Sequence, residues 1–151
     1  MDRFMIKTSM GYLDHEDETE VLLRREVRKK DDFDVRPIMD APTLRGLQKA
    51  TENIRIELSL VRYITALIVA SRNHPDVLVG CSPRGSLALL KLSKAQAAMR
   101  GRPYVVPDDI KGLAVPVMAH RLILKPEPRI RGVTGMSIVE QILAKVPVPK
   151  Q

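Results

Sequence analysis

A chain of 151 residues is one domain's worth at the usual ~100–200 residues per domain, and 44% apolar with 28% charged residues excludes wholesale disorder, a collagen-like repeat and a disulfide scaffold. Phe4, Tyr12, Phe33, Tyr63 and Tyr104 are the whole aromatic complement, too few for a base-stacking platform, and the single Cys81 can make neither an internal disulfide nor a cysteine-based zinc site. The net charge of +7 is uneven: residues 1–33 hold 7 basic and 9 acidic side chains and the rest carries +9, a field that attracts polyanions, nucleotides or an acidic partner without choosing among them.

In chain order, residues 4–13 (Phe-Met-Ile-Lys-Thr-Ser-Met-Gly-Tyr-Leu) have β-compatible side chains and read as a short strand, although no other long alternating segment follows to pair with it. Asp14 to Glu20 then concentrates acids ahead of Arg24, Arg25, Arg28, Lys29 and Lys30. That order matches the helix dipole at both ends and predicts a helix over about 15–30. Residues 31–39 read as a loop, and Asp40-Ala-Pro-Thr43 supplies the cap of a short helix through Leu44, Leu47 and Ala50, followed by a brief extended Ile54-Arg-Ile56.

Leu60, Val61, Ile64, Leu67, Ile68 and Ser71 form a stripe at helical spacing that ends where Asn73-His-Pro75 stops it. An apolar Val77-Leu-Val79 precedes the turn Gly80-Cys-Ser-Pro-Arg-Gly85, which opens a long helix ended at Gly101, its alanines suggesting close packing. Pro107-Asp-Asp starts a helix over about 107–121 with Ile110, Leu113, Ala114 and Val117 inward and Pro116 as a kink. Residues 125–131 read as a loop, and Thr134 leads a final helix carrying Ile138, Ile142 and Leu143 up to Pro147. The expected fold is mainly α, a helical bundle with a strand remnant at its front. No segment approaches the ~18 uninterrupted apolar residues of a membrane span, and the N-terminus lacks a signal peptide's order of charged then apolar residues.

Within the 80–85 turn, Ser82 is placed to cap, Pro83 sits at the first helical position, and Arg84 falls in the first turn, where a lone cation opposes the dipole at a cost of ~0.3–1 kcal/mol. Such a residue is accounted for if an anion sits nearby, since exposed helix N–H groups and a guanidinium together favour a phosphate; the bland alternative is a surface ion pair or plain solvation. The outline Gly80-x4-Gly85 imitates a P-loop, but Ser86-Leu87 stands where Lys-Ser/Thr is required, and no other segment supplies that pair. His15, His74 and His120 have no metal-ligand spacing, and Cys81 beside Ser82 is a faint nucleophile candidate, better read as a partly buried turn residue. Asp31-Asp32 and Asp108-Asp109 read as loop and helix-start residues, and Met5, Met10, Met39, Met99, Met118 and Met136 as core filler.

Taken in order, Asp2-Arg3-Phe4, Gly80-Cys-Ser-Pro-Arg84, Arg102-Pro-Tyr-Val-Val-Pro-Asp-Asp-Ile110, His120-Arg121-Leu122 and Ile142-Leu-Ala-Lys-Val-Pro-Val-Pro149 resemble the C-terminal part of a MoxR-type AAA+ ATPase, over essentially the whole chain. The resemblance implies that residues 1–13 are a strand remnant of the nucleotide-binding α/β core, 14–39 a connecting helix and loop, and 40–151 a helical lid domain. By the family pattern Arg84 matches the sensor 2 arginine, which reaches the nucleotide phosphates from the lid, and Arg3 matches the arginine finger offered to the neighbouring subunit's site. The resemblance further implies ATP with Mg2+ in the intact protein, chaperone-like remodelling or maturation of a protein partner, a homo-oligomeric ring, commonly a hexamer, completed by the AAA+ core, and client or adaptor proteins with von Willebrand factor A domains; the lone Cys81 points to a reducing interior such as the cytoplasm. Without Walker A or Walker B, this stretch alone is expected to bind no nucleotide stably and to hydrolyse nothing. The rival readings are a stand-alone basic helical module that binds nucleic acid and an adaptor domain with no nucleotide role.

Overall fold

The computed structural model describes residues 3–149; Asp2, quoted above beside Arg3, lies outside the described residues. The chain forms α1 (His15–Arg28), α2 (Ala41–Glu52), α3 (Leu58–Arg72), β1 (Val77–Val79), α4 (Pro83–Met99), α5 (Pro107–Met118), a 3-10 turn (Ala119–Arg121), β2 (Ile123–Leu124), α6 (Pro126–Ile130) and α7 (Gly135–Lys145). The fold is mainly α. Four helix starts are capped by side chains: those of Asp14, Asp40, Ser82 and Thr134 accept from the N–H groups of Asp17, Thr43, Arg84 and Ser137, satisfying donors that a first helical turn leaves open.

The core is built where α3, α4, α5 and α7 meet. Leu60, Ile64, Leu67 and Ile68 of α3 pack with Ala88, Leu89 and Ala97 of α4, Ile110, Ala114, Val117 and Met118 of α5, and Ile138, Val139 and Ile142 of α7. The small alanines let α4 lie close to its neighbours. Tyr63 joins this core, whereas Val61, Leu113 and Leu143 are only partly buried. Neither α1 nor α2 buries a residue, so their predicted apolar positions (Val21, Leu22, Leu23, Leu44, Leu47) remain exposed.

Four expectations are corrected. Residues 4–13 form no strand: a strand needs a partner edge, and this segment is tied instead by the Lys7 N–H donating to the Pro116 carbonyl at 3.0 Å. The helix from 107 is α-helical only to Met118, two residues past Pro116, and then tightens into the 3-10 turn. Residues 126–130 are a short helix rather than a loop, because Pro126 and Pro128 fall in its first turn, where a missing N–H costs nothing. Of the six methionines read as core filler, Met118 alone is buried; Met5, Met10, Met39, Met99 and Met136 are exposed.

Two pairings were not foreseen. β1 and β2 form an antiparallel ribbon, Val77 opposite Leu124 and Val79 opposite Ile123, extended by the Lys125 N–H to the Asp76 carbonyl at 2.9 Å. Ile54–Ile56 pairs in parallel with the Tyr104 region, with Arg55 N–H to Pro103 O and Val105 N–H to Arg55 O, both at 3.0 Å.

Candidate functional site

The turn that opens α4 is fixed from below by the end of α3. The Cys81 N–H donates to Ser71 Oγ at 3.0 Å, Arg72 Nε donates to the Cys81 carbonyl at 2.8 Å, and Ser71 Oγ in turn donates to Ile68 O at 2.6 Å. Gly80 is required by this approach: a Cβ there would lie 2.6 Å from the Arg72 Cα, closer than atoms can sit. Cys81, read as partly buried, is 1% exposed, with its thiol directed at the Met118 carbonyl at 3.8 Å. The turn therefore presents α4's first N–H groups from a rigid base.

Arg84 projects from that base and is exposed. Among the described residues its guanidinium makes no hydrogen bond or ion pair, whereas that of Arg72, twelve positions earlier, is held on the turn's backbone. It lines a cleft of about 350 Å³ together with Arg3, Met5, Leu87, Ala88, Lys91 and Arg121. Of these seven described lining residues four are cations, so they offer an anion attraction from several sides. Lys91 stands seven positions after Arg84, two helical turns or about 10.5 Å along the axis, on the same face of α4.

Arg121 reaches the cleft from the 3-10 turn and is 8% exposed. Its guanidinium donates to the backbone carbonyls of Phe4, Val117 and, at 3.2 Å, Met5, and the neighbouring His120 Nε2 lies 3.2 Å from the same Phe4 oxygen. The Arg121 stem passes close to Gly85: a Cβ there would sit 3.5 Å from Arg121 Cδ, an ordinary contact, and more tightly, 3.3 Å, against Cys81 Cβ.

The two sequence-selected arginines, Arg3 and Arg84, thus line one cleft. The three histidines are not gathered: His74 faces Gln141 at 3.2 Å and His120 faces Pro116 and Phe4, and among the described residues no group of three or more His, Cys, Asp or Glu side chains could hold a metal ion. Sequence reasoning missed Lys91 and Arg121. The i,i+7 spacing from Arg84 was the one available signal for Lys91; nothing local points from Arg121 to residues 116 and 117 positions away.

A second charged cluster, also missed, is structural. Asp109, 1% exposed, receives Arg102 at 2.9 and 2.6 Å, Arg100 at 3.3 Å and the Val106 N–H at 2.9 Å. Burial pushes this carboxyl upward, but the Arg102 hydrogen bonds, the Val106 N–H and the charges of Arg102 and Arg100 outweigh it and hold the group below the usual carboxylate range. The pair pins the end of α4 to the start of α5.

Residues 69–142, from late α3 to the middle of α7, match the AAA lid domain family, so the helical unit that presents the cleft is an AAA lid domain. The chain is 37% identical over its full length to YeaC of Bacillus subtilis and 28% identical over 99% of its length to the chaperone MoxR1 of Mycobacterium tuberculosis, covering 47% and 41% of those proteins. A crystal structure of a Cytophaga hutchinsonii protein proposed to be an ATPase superposes over 99% of this chain and 48% of that one, with a TM-score of 0.86 at 34% identity. Residues 69–142 thus form an AAA lid domain, and over nearly its whole length the chain is similar to part of MoxR-type AAA+ proteins. It spans about half the length of the relatives it matches, and among the described residues no helix is long and apolar enough to cross a membrane.

Proposed function

We propose that this chain serves as the lid portion of a ring-forming ATPase that couples ATP binding and hydrolysis to remodelling or maturation of protein partners, with Arg84 as its sensor 2 residue and Arg3 as its arginine finger. The observation that carries the reading is the cleft at the start of α4, where an arginine without a partner among the described residues is joined by three further cations, Arg3, Lys91 and Arg121. A phosphoryl group in transfer spreads negative charge over its oxygens, and a guanidinium already in place stabilises that charge without reorganisation. The phosphate end of ATP suits these cations, and Mg2+ would be ligated by oxygen groups, which the described lining side chains do not supply. The similarity to a chaperone supports the remodelling role; ring assembly, commonly hexameric, partners of the von Willebrand factor A type and a cytoplasmic setting complete the proposal.

The test has two arms. Titration of the 151-residue chain with inorganic tripolyphosphate should show binding that Arg84→Ala weakens. In a chimaera joining this chain to the part of MoxR1 that it does not match, Arg84→Ala should lower ATP turnover by about 100-fold. Unchanged turnover and unchanged tripolyphosphate affinity would leave Arg84 a solvated surface residue. Steeply salt-dependent binding of duplex DNA that ignores Arg84→Ala would instead favour a nucleic-acid-binding module.

A further inference from the structure

The segment that carries Arg3 is held by the far end of the domain. Immediately after Arg3, the carbonyls of Phe4 and Met5 accept from the Arg121 guanidinium, His120 Nε2 lies 3.2 Å from the Phe4 oxygen, and the Lys7 N–H donates to the Pro116 carbonyl at 3.0 Å. These attachments fall within four residues of chain, all on the end of α5 and its 3-10 turn. A planar guanidinium with five donors suits this task, because it can serve several carbonyls at once in fixed directions, which an ammonium on a flexible stem does less well. The same Arg121 side chain passes Gly85, the residue next to Arg84. Its stem therefore lies against the turn that presents one arginine while its head grips the backbone that presents the other.

From this juxtaposition we infer that Arg121 is a positioning residue: it fixes Arg3 relative to Arg84 so that both guanidinium groups act on one anion in the same cleft. The inference rests on the reading of that cleft as a phosphate site, and it goes further by naming the residue that holds Arg3 beside Arg84. Arg121 also lends the cleft its own charge, so only the part of its effect that runs through the Phe4 and Met5 carbonyls should pass through Arg3, and Arg121→Lys, which keeps the charge but not the planar fork, isolates that part. A merely structural role would lower binding whether or not residue 3 is an arginine.

The decisive measurement is a double-mutant cycle on the 151-residue chain, with tripolyphosphate affinity read by calorimetry at low ionic strength. Arg3→Ala and Arg121→Lys should each weaken binding by about two- to fivefold, and Arg121→Lys should add no further loss in the Arg3→Ala background. An equal loss in both backgrounds, or none in either, overturns the inference while leaving the cleft reading intact. Absence of binding by the unaltered chain, or binding indifferent to Arg84→Ala, sinks the cleft reading first and the inference with it. Amide exchange supplies a second readout that does not depend on the anion. The Lys7 amide of the unaltered chain should be protected, and Arg121→Lys should speed its exchange while the amides of Leu89 and Ile110 keep theirs. Exchange of the Lys7 amide at an open-chain rate in the unaltered protein also overturns the inference.

Discussion

Replacing Asp109 by Asn removes one charge from the interior while keeping an oxygen for the Val106 N–H. The carboxylate that is lost receives Arg102 at 2.6 and 2.9 Å and Arg100 at 3.3 Å. Removing one partner of a buried ion pair costs about 3–5 kcal/mol, because the remaining charge is left without compensation. Here the arginine side chains are 23% and 52% exposed and can turn towards water, which screens the loss, so the expected cost for Asp109→Asn is about 2–3 kcal/mol. For a chain of this size that corresponds to a fall in Tm of about 4–12 °C. Urea unfolding followed by circular dichroism measures the difference, and its pH dependence tests the cause. The folded carboxyl titrates below its unfolded value of about 3.9, so its contribution is fully present above that value and is lost as pH falls through the folded value. The gap between the parent and Asp109→Asn should thus be constant from about pH 7 to 5 and close below about pH 4. A gap under about 1 kcal/mol at neutral pH, or one that persists undiminished into strong acid, would refute the argument.

Lys91→Ala should weaken tripolyphosphate binding by about two- to fivefold with unchanged thermal stability, since the side chain is exposed and only its charge faces the cleft; calorimetry and a melting curve separate the two. Gly135→Ala should cost about 1–3 kcal/mol in urea unfolding, because the new Cβ would lie 2.5 Å from the Ala119 carbonyl oxygen, whereas Gly112→Ala, with nothing within 4 Å, should stabilise α5 by about 0.5–1 kcal/mol. Ser93 Oγ is buried with no hydrogen-bond partner among the described residues, so Ser93→Ala should leave stability unchanged or raise it by about 1 kcal/mol, and a comparable loss would mean that the hydroxyl is satisfied after all.

The helices were legible because their signals are local. Asp14, Asp40, Ser82 and Thr134 bond to N–H groups two or three residues ahead, and the α3 stripe is read from one strip of sequence. Arg84 stood out for the same reason: a cation at the wrong end of a helix dipole is visible in six residues. The short α6 was hidden by its two prolines, which mark breaks unless they fall in a first turn. Segment 4–13 misled because β-compatible side chains say nothing about whether a partner edge exists. The β1–β2 ribbon, the Asp109 cluster and the Arg121 contacts are tertiary: each depends on where two separately formed elements come to lie, and no periodicity encodes that.

The seating of the 80–82 turn on Ser71 and Arg72 separates two kinds of sensitivity. Changing the guanidinium itself should alter how strongly an anion is felt and leave the bundle intact, as side chains at an open rim usually do. Altering Ser71, which lies beneath that rim and is fully buried, would tilt the whole first turn of α4 and aim an unmodified arginine elsewhere. A screen for weakened ligand response in this chain should therefore recover substitutions in α3 that never meet the ligand, grouped at the last turn of that helix.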